Sequence, residues 1–334
     1  MITLSKLAKL AHVSVSTVSK AFSMSEEVNE QTREEVFRIA KEYGCFKKYY
    51  KAKYPKTVIA VICPEFQSRF YSDALTALQQ YLSGHNCEIC VASTDFSPEK
   101  RRDLLHYYNR YTAVDGIIVI DGRMELDMDM ELPVAAVGSV VSGKADINIS
   151  TDNTVAMRKA VAYFREKGMS IGYVGEPYTA GKLGKLKELA REAGIPIEEA
   201  HIAVSDKRFE AGGYDAMEKL LAGKSLPRAL ICGYDYLAMG AIACACDHGL
   251  RVPEDIAVMG MDDIHEAAYL NPPLTSINFR IDEACRMAAE SLLKLMMGEE
   301  YTAEAVLDSQ LYLRRSTEQS KGGNCDADHG YAHP

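Results

Sequence analysis

From Thr57 onward, short β-branched runs alternate with amphipathic segments of helical length, and this alternation constrains the fold more than any other feature of the chain. Two sets of strands are predicted: Val58–Ile62, Glu88–Ala92, Gly116–Ile120 and Pro133–Gly138, then Ile171–Val174, His201–Val204, Ala229–Cys232 and Ile256–Met261. Strands that alternate with helices favour a parallel, doubly wound sheet. The two sets therefore predict an α/β core of two lobes with a cleft between them, where ligands bind at the carboxyl ends of the strands.

The first 22 residues predict two short helices separated by a tight break. Thr3 can cap the first helix, and an apolar face then recurs at helical spacing, formed by Leu4, Leu7, Ala8 and Ala11. Ser14 can cap the second helix, whose apolar stripe is formed by Val15, Val18, Ala21 and Phe22. This pattern is typical of a helix-turn-helix.

The opposite face of the second helix carries Ser16, Thr17, Ser19 and Lys20. Short hydroxyl side chains and one cation can approach phosphates and base edges closely. Residues 1–25 contain no Asp or Glu, so nothing in this stretch repels a phosphate backbone. We therefore expect the second helix to enter DNA; the alternative is a small polar hairpin that only caps a larger domain.

The distribution of charge supports contact with nucleic acid at one end of the chain. Residues 1–56 hold 11 Lys and Arg against 6 Asp and Glu, a net charge of +5, and the remainder holds 27 against 41, or −14.

Asn29 can cap a third helix from Glu30 to about Tyr43, with Val36, Ile39, Ala40 and Tyr43 on one face. An all-α headpiece over residues 1–44 follows.

Residues 45–56 contain five Lys interleaved with Tyr and no acid, and Pro55 stops any helix, so a basic linker is predicted. The core then covers residues 57–319, and the polar, Gly-rich residues 320–334 are expected to be a disordered tail.

Cys87 and Cys90 form a C-x-x-C on a predicted strand, where positions i and i+3 face opposite sides. Structural thiols are therefore favoured there over a redox or zinc site.

Apolar residues make up 47% of the 334 residues, enough for a sizeable core. No apolar run approaches the length of a membrane span, and Lys6 and Lys9 interrupt any signal-peptide core, which predicts a soluble cytoplasmic protein with no membrane partner.

The segment from Gly175 to Lys182 imitates a phosphate-binding loop, but its glycine spacing is one residue too long and Leu183 replaces the magnesium-binding Ser or Thr. We expect no enzyme activity, no cofactor and no metal site.

These features resemble one known family in order and spacing. Residues 2–11 and 13–20 resemble the head of lactose-repressor-type (LacI/GalR family) transcription regulators. Matching segments continue through the core: Ser93–Asp95, Val114–Ile118, Asp152-Asn153, Leu250–Ile256, Gly260–Asp263, Pro272–Ile277 and Arg314–Thr317. The resemblance implies a helix-turn-helix headpiece joined to two doubly wound lobes of periplasmic-binding-protein type that sense a small molecule.

The resemblance also implies which residues touch DNA. The family's hinge helix wedges a leucine into the minor groove, and that position falls on Tyr54. Residues 47–54 either form such a helix or act as a solvated basic tether along phosphates. The full set of expected DNA contacts is Thr3, Leu4, Ser14, Val15, Ser16, Thr17, Ser19, Lys20, Ser23, Asn29, Thr32, Lys48 and Tyr54.

An effector site is implied in the same way. The family's Asp that grips effector hydroxyls or ring nitrogens is Asp262, its clamping Arg aligns with Lys182, and the Asn that opens a later helix is Tyr234. Phe70 and Tyr71 match an aromatic wall, whereas Gly138 replaces the Asp of many sugar sensors. Lysine cannot reproduce the planar fork of arginine. Two alternatives remain open: Tyr234 contacts ligand or packs in the fold, and Asp262 binds effector or caps the helix around 263–269.

The sequence thus predicts a homodimeric transcription regulator, a repressor that binds a near-palindromic double-stranded operator and responds to a carbohydrate-like effector in the inter-lobe cleft. The alternative is a two-lobed solute-binding or sugar-processing protein with an incidental basic head.

Overall fold

The computed structural model of the protein describes residues 2–50, 56–121, 123–126, 129–138, 140–143 and 145–318, and the side chains of these except 47, 48, 123–126 and 140–143. Two compact units are present. The first takes the chain up to Asp152 and again over Arg280–Leu307, and the second takes Asn153–Phe279 and the chain from Asp308. Within the described residues, no helix is long and apolar enough to span a membrane.

The headpiece contains four helices: α1 (Leu4–Leu10), α2 (Val15–Phe22), α3 (Glu30–Glu42) and α4 (Phe46–Tyr49). Leu7, Val18 and Val36 are fully buried at its centre, which confirms the predicted packing of the first three helices. Two residues assigned to apolar faces are exposed instead, Val15 by 46% and Tyr43 by 49%. Both lie at helix ends, where the neighbouring helices no longer cover the stripe.

Helix α4 belongs to the headpiece, although the sequence predicts a linker from residue 45. Phe46 is buried in the headpiece core and stacks on Tyr50 with ring centroids 4.7 Å apart. The Tyr49 hydroxyl donates to the Ile2 carbonyl oxygen over 2.9 Å. The headpiece therefore extends to Tyr50, because aromatic side chains that look like linker composition find partners in its core. Tyr54 and the predicted tail lie outside the described residues.

The first core unit begins with a set of alternating strands and helices: β1 (Thr57–Cys63), α5 (Arg69–Ser83), β2 (Cys87–Ser93), α6 (Pro98–Tyr111), β3 (Gly116–Ile120), β4 (Arg123–Leu126), β5 (Val134–Gly138), β6 (Val140–Gly143) and β7 (Ile147–Asp152). Strands β7, β5, β3, β1 and β2 pair in parallel in that order. Strands β4 and β6 form a separate parallel pair. Cys87 and Cys90 face opposite hydrophobic clusters, as predicted for a strand.

The second unit follows the same plan with α7 (Asn153–Glu166), β8 (Ile171–Gly175), α8 (Ala180–Glu192), β9 (Ile202–Val204), α9 (Phe209–Leu221), β10 (Ala229–Cys232), α10 (Asp235–Asp247), β11 (Ala257–Met261) and β12 (Thr275–Asn278). The chain then returns to the first unit as α11 (Ile281–Met297) and β13 (Glu304–Asp308), and ends its described part with β14 (Gln310–Tyr312). The sheet order is β14-β12-β11-β10-β8-β9, parallel except for the β12–β14 pair.

The return of α11 to the first unit departs from the expectation of two consecutive sets. Its buried face consists of small and apolar residues that pack into the core containing β1, β5 and β7: Ala284, Cys285, Ala288, Ala289 and Leu292. Helical periodicity predicts that such a face is buried but not which sheet covers it. The two lobes are therefore each assembled from separate stretches of chain.

Candidate functional sites

Helix α2 is fixed on one side and open on the other. The Ser14 hydroxyl caps it by accepting the Thr17 N–H over 2.9 Å, and Val18, Ala21 and Phe22 anchor it in the headpiece core. The residues left exposed share one side of the helix: Val15, Ser16 and Ser19. A rigid helix with a small, mixed apolar and hydroxyl surface can approach base edges closely.

Other predicted DNA contacts hold the helix ends. Thr3 accepts the Lys6 N–H over 3.3 Å, and the Asn29 side chain accepts the Thr32 N–H over 2.8 Å. Ser23 donates its hydroxyl proton to the Lys20 carbonyl oxygen. Leu4 is half-buried against the headpiece core. Lys48 lies in α4, but its side chain, like all of Tyr54, is outside the described residues.

The structure adds an acid to this surface. Lys20 forms an ion pair with Glu27, in the loop after α2, and the two side chains are 43% and 69% exposed. The acid-free stretch identified in the sequence ends at residue 25, so the local electrostatics are less uniformly positive than the sequence predicts. The sequence does not predict this ion pair, because it depends on the turn that folds Glu27 back onto α2.

A second polar site occupies the carboxyl edge of the second sheet. Lys182, in the first turn of α8, donates to the Gly233 carbonyl oxygen over 2.8 Å and pairs with Asp262 at 3.3 Å. Gly233 follows β10 and Asp262 follows β11, so the parallel topology brings all three groups together. The Lys182 ammonium also lies 4.9 Å from the centroid of the Phe279 ring. The predicted Lys182–Asp262 neighbourhood is therefore present.

Asp262 does not cap a helix in this structure. The short 3₁₀ helix His265–Tyr269 begins after Ile264, and no side chain caps it. Asp262 has a positive φ of 98° and its N–H donates to the Ile277 carbonyl oxygen over 2.8 Å. Its carboxylate is thus left to Lys182. Burial raises the pKa of Asp262, and the neighbouring Lys182 ammonium opposes that shift.

Asp235, which was not predicted from the sequence, holds the turn after β11 through hydrogen bonds. This fully buried carboxylate accepts the Ile264 N–H over 2.8 Å and the Ser276 hydroxyl over 2.6 Å. Ser276 Oγ in turn accepts the Asp263 N–H over 3.0 Å. Burial, and then the charge of Asp262, raise the pKa of Asp235. The signal in the sequence is an acid at the start of α10, two residues after Gly233, which follows β10.

Tyr234 packs in the fold. It is 8% exposed, and its hydroxyl accepts the Phe209 N–H over 2.9 Å. Nearby, Glu176, with a side chain 1% exposed, pairs with Arg208 Nε at 3.2 Å. The Arg208 guanidinium lies over the Phe209 and exposed Tyr178 rings, 4.6 and 5.4 Å from their centroids. This second ion pair at the same sheet edge was not predicted, because its partners are far apart in sequence.

The predicted aromatic wall lies in the first unit. Phe70 and Tyr71 are in the first turn of α5, with ring centroids 5.1 Å apart in an edge-to-face arrangement. Both are partly buried, and Tyr71 also lies 6.4 Å from the Phe96 ring. Lys182, Tyr234 and Asp262 belong to the second unit.

Comparisons with known proteins match both the headpiece and the second part of the core. Residues 3–45 match the model of bacterial regulatory proteins of the lacI family, and residues 161–317 match the periplasmic binding protein-like domain. The HTH-type transcriptional repressor CytR of Escherichia coli (strain K12) is 28% identical over 330 residues, which cover 94% of this chain and 96% of that repressor. The chain belongs to the lacI family of bacterial regulatory proteins. It is therefore a DNA-binding transcriptional regulator and not an enzyme.

Further lacI-family relatives and solved structures match over most of the chain. The HTH-type transcriptional repressor PurR of Klebsiella pneumoniae (strain 342) is 27% identical over 333 residues, 95% of this chain and 97% of that protein. The transcriptional regulator CelR–cellobiose complex is 25% identical with a TM-score of 0.65, covering 95% of this chain and 100% of that one. The lac repressor dimer bound to operator and the anti-inducer ONPF shares the fold, with 21% identity, a TM-score of 0.69 and coverage of 95% and 99%.

Proposed function

We propose that this lacI-family regulator is a repressor that acts in the cytoplasm as a homodimer on a near-palindromic operator. The observation that carries the proposal is the open face of α2, where Val15, Ser16 and Ser19 are exposed while the opposite face is locked in the headpiece core. In helix-turn-helix proteins this second helix enters the major groove. The relatives CytR and PurR are named as repressors, which supports the direction of regulation.

Dimerisation follows from the small size of the reading surface. One α2 helix offers few side chains to base edges, too few for specific binding by a single headpiece. Two headpieces related by a two-fold axis would read two half-sites of a palindrome. The related lac repressor structure contains a dimer bound to operator, which supports this arrangement.

The Lys182–Asp262 pair is the proposed centre of the effector site. Asp262 offers a largely buried carboxylate that can accept from ligand hydroxyls, and Lys182 offers a point charge held between Asp262 and the Gly233 carbonyl oxygen. These groups suit a polyhydroxylated ligand such as a sugar, and the neighbour CelR is a complex with cellobiose. Tyr234 is a further proposed contact in the second unit and would act through its ring, because its hydroxyl accepts the Phe209 N–H. Phe70 and Tyr71, in the first unit, remain proposed effector contacts from the sequence resemblance.

Effector binding regulates DNA binding only if the effector has different affinities for two states of the protein. We propose that ligand at Asp262 and Lys182 favours one arrangement of the lobes and so changes the spacing of the two headpieces on the operator. Lys48, in α4, and Tyr54, in the linker that follows, are further proposed DNA contacts. If Tyr54 enters the minor groove, Tyr54→Ala lowers specific affinity much more than affinity for random duplex; equal losses identify a basic tether instead.

Genome-wide capture of DNA by the tagged full-length protein tests the proposal. The captured fragments should share a near-palindromic sequence, and the purified protein should shift a duplex containing it as two subunits per duplex. A variant carrying Ser16→Ala, Ser19→Ala and Lys20→Ala should keep the same thermal unfolding but lose the preference for that sequence. Retention of the preference would show that α2 is not the reading helix.

A further inference from the structure

The loop between α2 and α3 holds an acid against the recognition helix. Met24 turns the chain with a positive φ of 55°, and the Ser25 N–H donates back to the Lys20 carbonyl oxygen over 3.0 Å. Glu27 then lies beside the Lys20 side chain and forms an ion pair with it. This places the only side-chain cation of α2 next to a negative charge.

The loop is fixed from the other side by a buried arginine. Arg33 is 9% exposed, and its guanidinium donates to the carbonyl oxygens of Ser25 over 2.8 Å and Val28 over 3.0 Å. Val28 itself is buried in the headpiece core. The backbone on both sides of Glu27 is therefore held, so the acid is kept near Lys20 by the fold and not by the ion pair alone.

The ion pair contributes little to stability, because both partners are largely exposed to water. Its effect on DNA binding is of a different kind. A phosphate that approaches Lys20 has to compete with the Glu27 carboxylate and is also repelled by it. A well-placed base acceptor compensates for this competition with a directed hydrogen bond, whereas a randomly placed phosphate does not.

We propose that Glu27 is a specificity-determining residue of this regulator: it suppresses binding to random DNA by occupying Lys20 until a matching base displaces it. This inference rests on the proposed placement of α2 in the major groove. Sequence preference then comes partly from a penalty on wrong sites, in addition to the attraction of the right one.

The test compares Glu27→Gln with Glu26→Gln in the full-length protein. Glu26 is the adjacent exposed acid, for which the structure records no ion pair, so its replacement changes the net charge equally. Binding is measured by fluorescence anisotropy on a random-sequence duplex over a series of salt concentrations. Glu27→Gln should tighten binding about two- to fivefold and steepen the slope of log K against log salt by about 0.9, with a clearly smaller effect of Glu26→Gln.

The same comparison in a Lys20→Gln background isolates the pair. In that background, the effect of Glu27→Gln on random-duplex affinity should shrink to that of Glu26→Gln. Affinity is also measured on a duplex selected from a random library. The ratio of selected-duplex to random-duplex affinity should fall only for Glu27→Gln in the protein that keeps Lys20. Equal effects of the two glutamine variants, or an undiminished Glu27 effect without Lys20, would overturn the proposal. If Lys20→Gln weakens binding to neither duplex, Lys20 is not at the DNA, and its place in the proposed function fails as well.

Discussion

Asp235 Oδ1 lies so close to Gly260 that a Cβ at position 260 would come within 2.0 Å of it. Gly260 belongs to β11, immediately before the turn that carries Asp262 and Asp263, both with positive φ. The carboxylate of Asp235 fills the space that a side chain at 260 would occupy and bonds to the far end of the same turn at Ile264. The turn that orients Asp262, the proposed effector-binding acid, is therefore held by Asp235, the buried acid at the start of α10.

Replacement of Gly260 by alanine should destabilise the protein by about 3 kcal/mol or more, because overpacking adds to the loss of the Asp235 hydrogen bonds. Chemical unfolding monitored by circular dichroism measures the change. Gly184→Ala is the matched control: it is exposed in α8, and an added Cβ would have no heavy atom within 4 Å apart from its chain neighbours and its own helix backbone. That variant should gain about 0.5–1 kcal/mol from helix propensity. A tolerated Gly260→Ala would mean that the turn adapts without Asp235.

The pH dependence of stability should change when Asp235 becomes asparagine. Burial raises the pKa of Asp235 in the folded state above its ordinary value of 3.8, so the folded state holds this proton more tightly than the unfolded state. The resulting stabilisation is fully present below pH 3.8 and is lost as the pH rises through the folded-state pKa. The free energy of unfolding of the wild type relative to Asp235→Asn should therefore decline over that window. A pH-independent difference would show that folding leaves the pKa of Asp235 unchanged.

Asp262→Asn should weaken the effector response at least about tenfold, or about 1.4 kcal/mol, since a charge-assisted acceptor is lost. Folding and operator binding should be retained, because the Asp262 side chain caps no helix. Neutral sugars, cellobiose among them, are titrated into the operator complex of each variant. Asp206→Asn, an exposed acid of the same unit, serves as the control. An unchanged midpoint for a ligand that releases the wild type would remove Asp262 from the site.

Val15 should read a thymine methyl group. It is an apolar residue at the first position of α2 and is 46% exposed. Contact with a thymine methyl group would remove this apolar surface from water, which favours binding. Val15→Ala should cost about 1 kcal/mol at the selected operator. The cost should disappear when each contacted thymine is replaced by uracil, which lacks only that methyl group. An equal cost on both duplexes would show that Val15 does not contact the thymine methyl group.

The docking of α4 should be required for a stable headpiece. Phe46→Ala removes a buried aromatic ring from the headpiece core and should cost about 3–5 kcal/mol there. Hydrogen exchange should increase in residues 2–50, while the two core units remain protected. Tyr49→Phe, which loses only the hydrogen bond to Ile2, should cost about 1 kcal/mol. Unchanged exchange in Phe46→Ala would show that α4 is not part of the headpiece core.

Much of the fold follows from the sequence because the signals are local. Strand β3 (Gly116–Ile120) and strand β10 (Ala229–Cys232) have the predicted bounds, and the Ser14 and Asn29 caps lie where spacing placed them. The sequence misplaces the end of the headpiece, because Phe46, Tyr49 and Tyr50 have a composition typical of a linker. Their partners in the headpiece core are not visible from spacing.

The sequence by itself determined the cap and bounds of α2, the parallel α/β plan of both lobes and the position of Asp262 at a strand end, since caps and periodicity act over a few residues. The tertiary structure decided which groups meet. Lys182 reaches Gly233 across 51 residues and Asp262 across 80, and Asp235 reaches Ile264 across 29. It also decided that α11 returns to the first unit and that Glu27 folds back on Lys20. Such pairings depend on strand order and loop path, which no local pattern encodes.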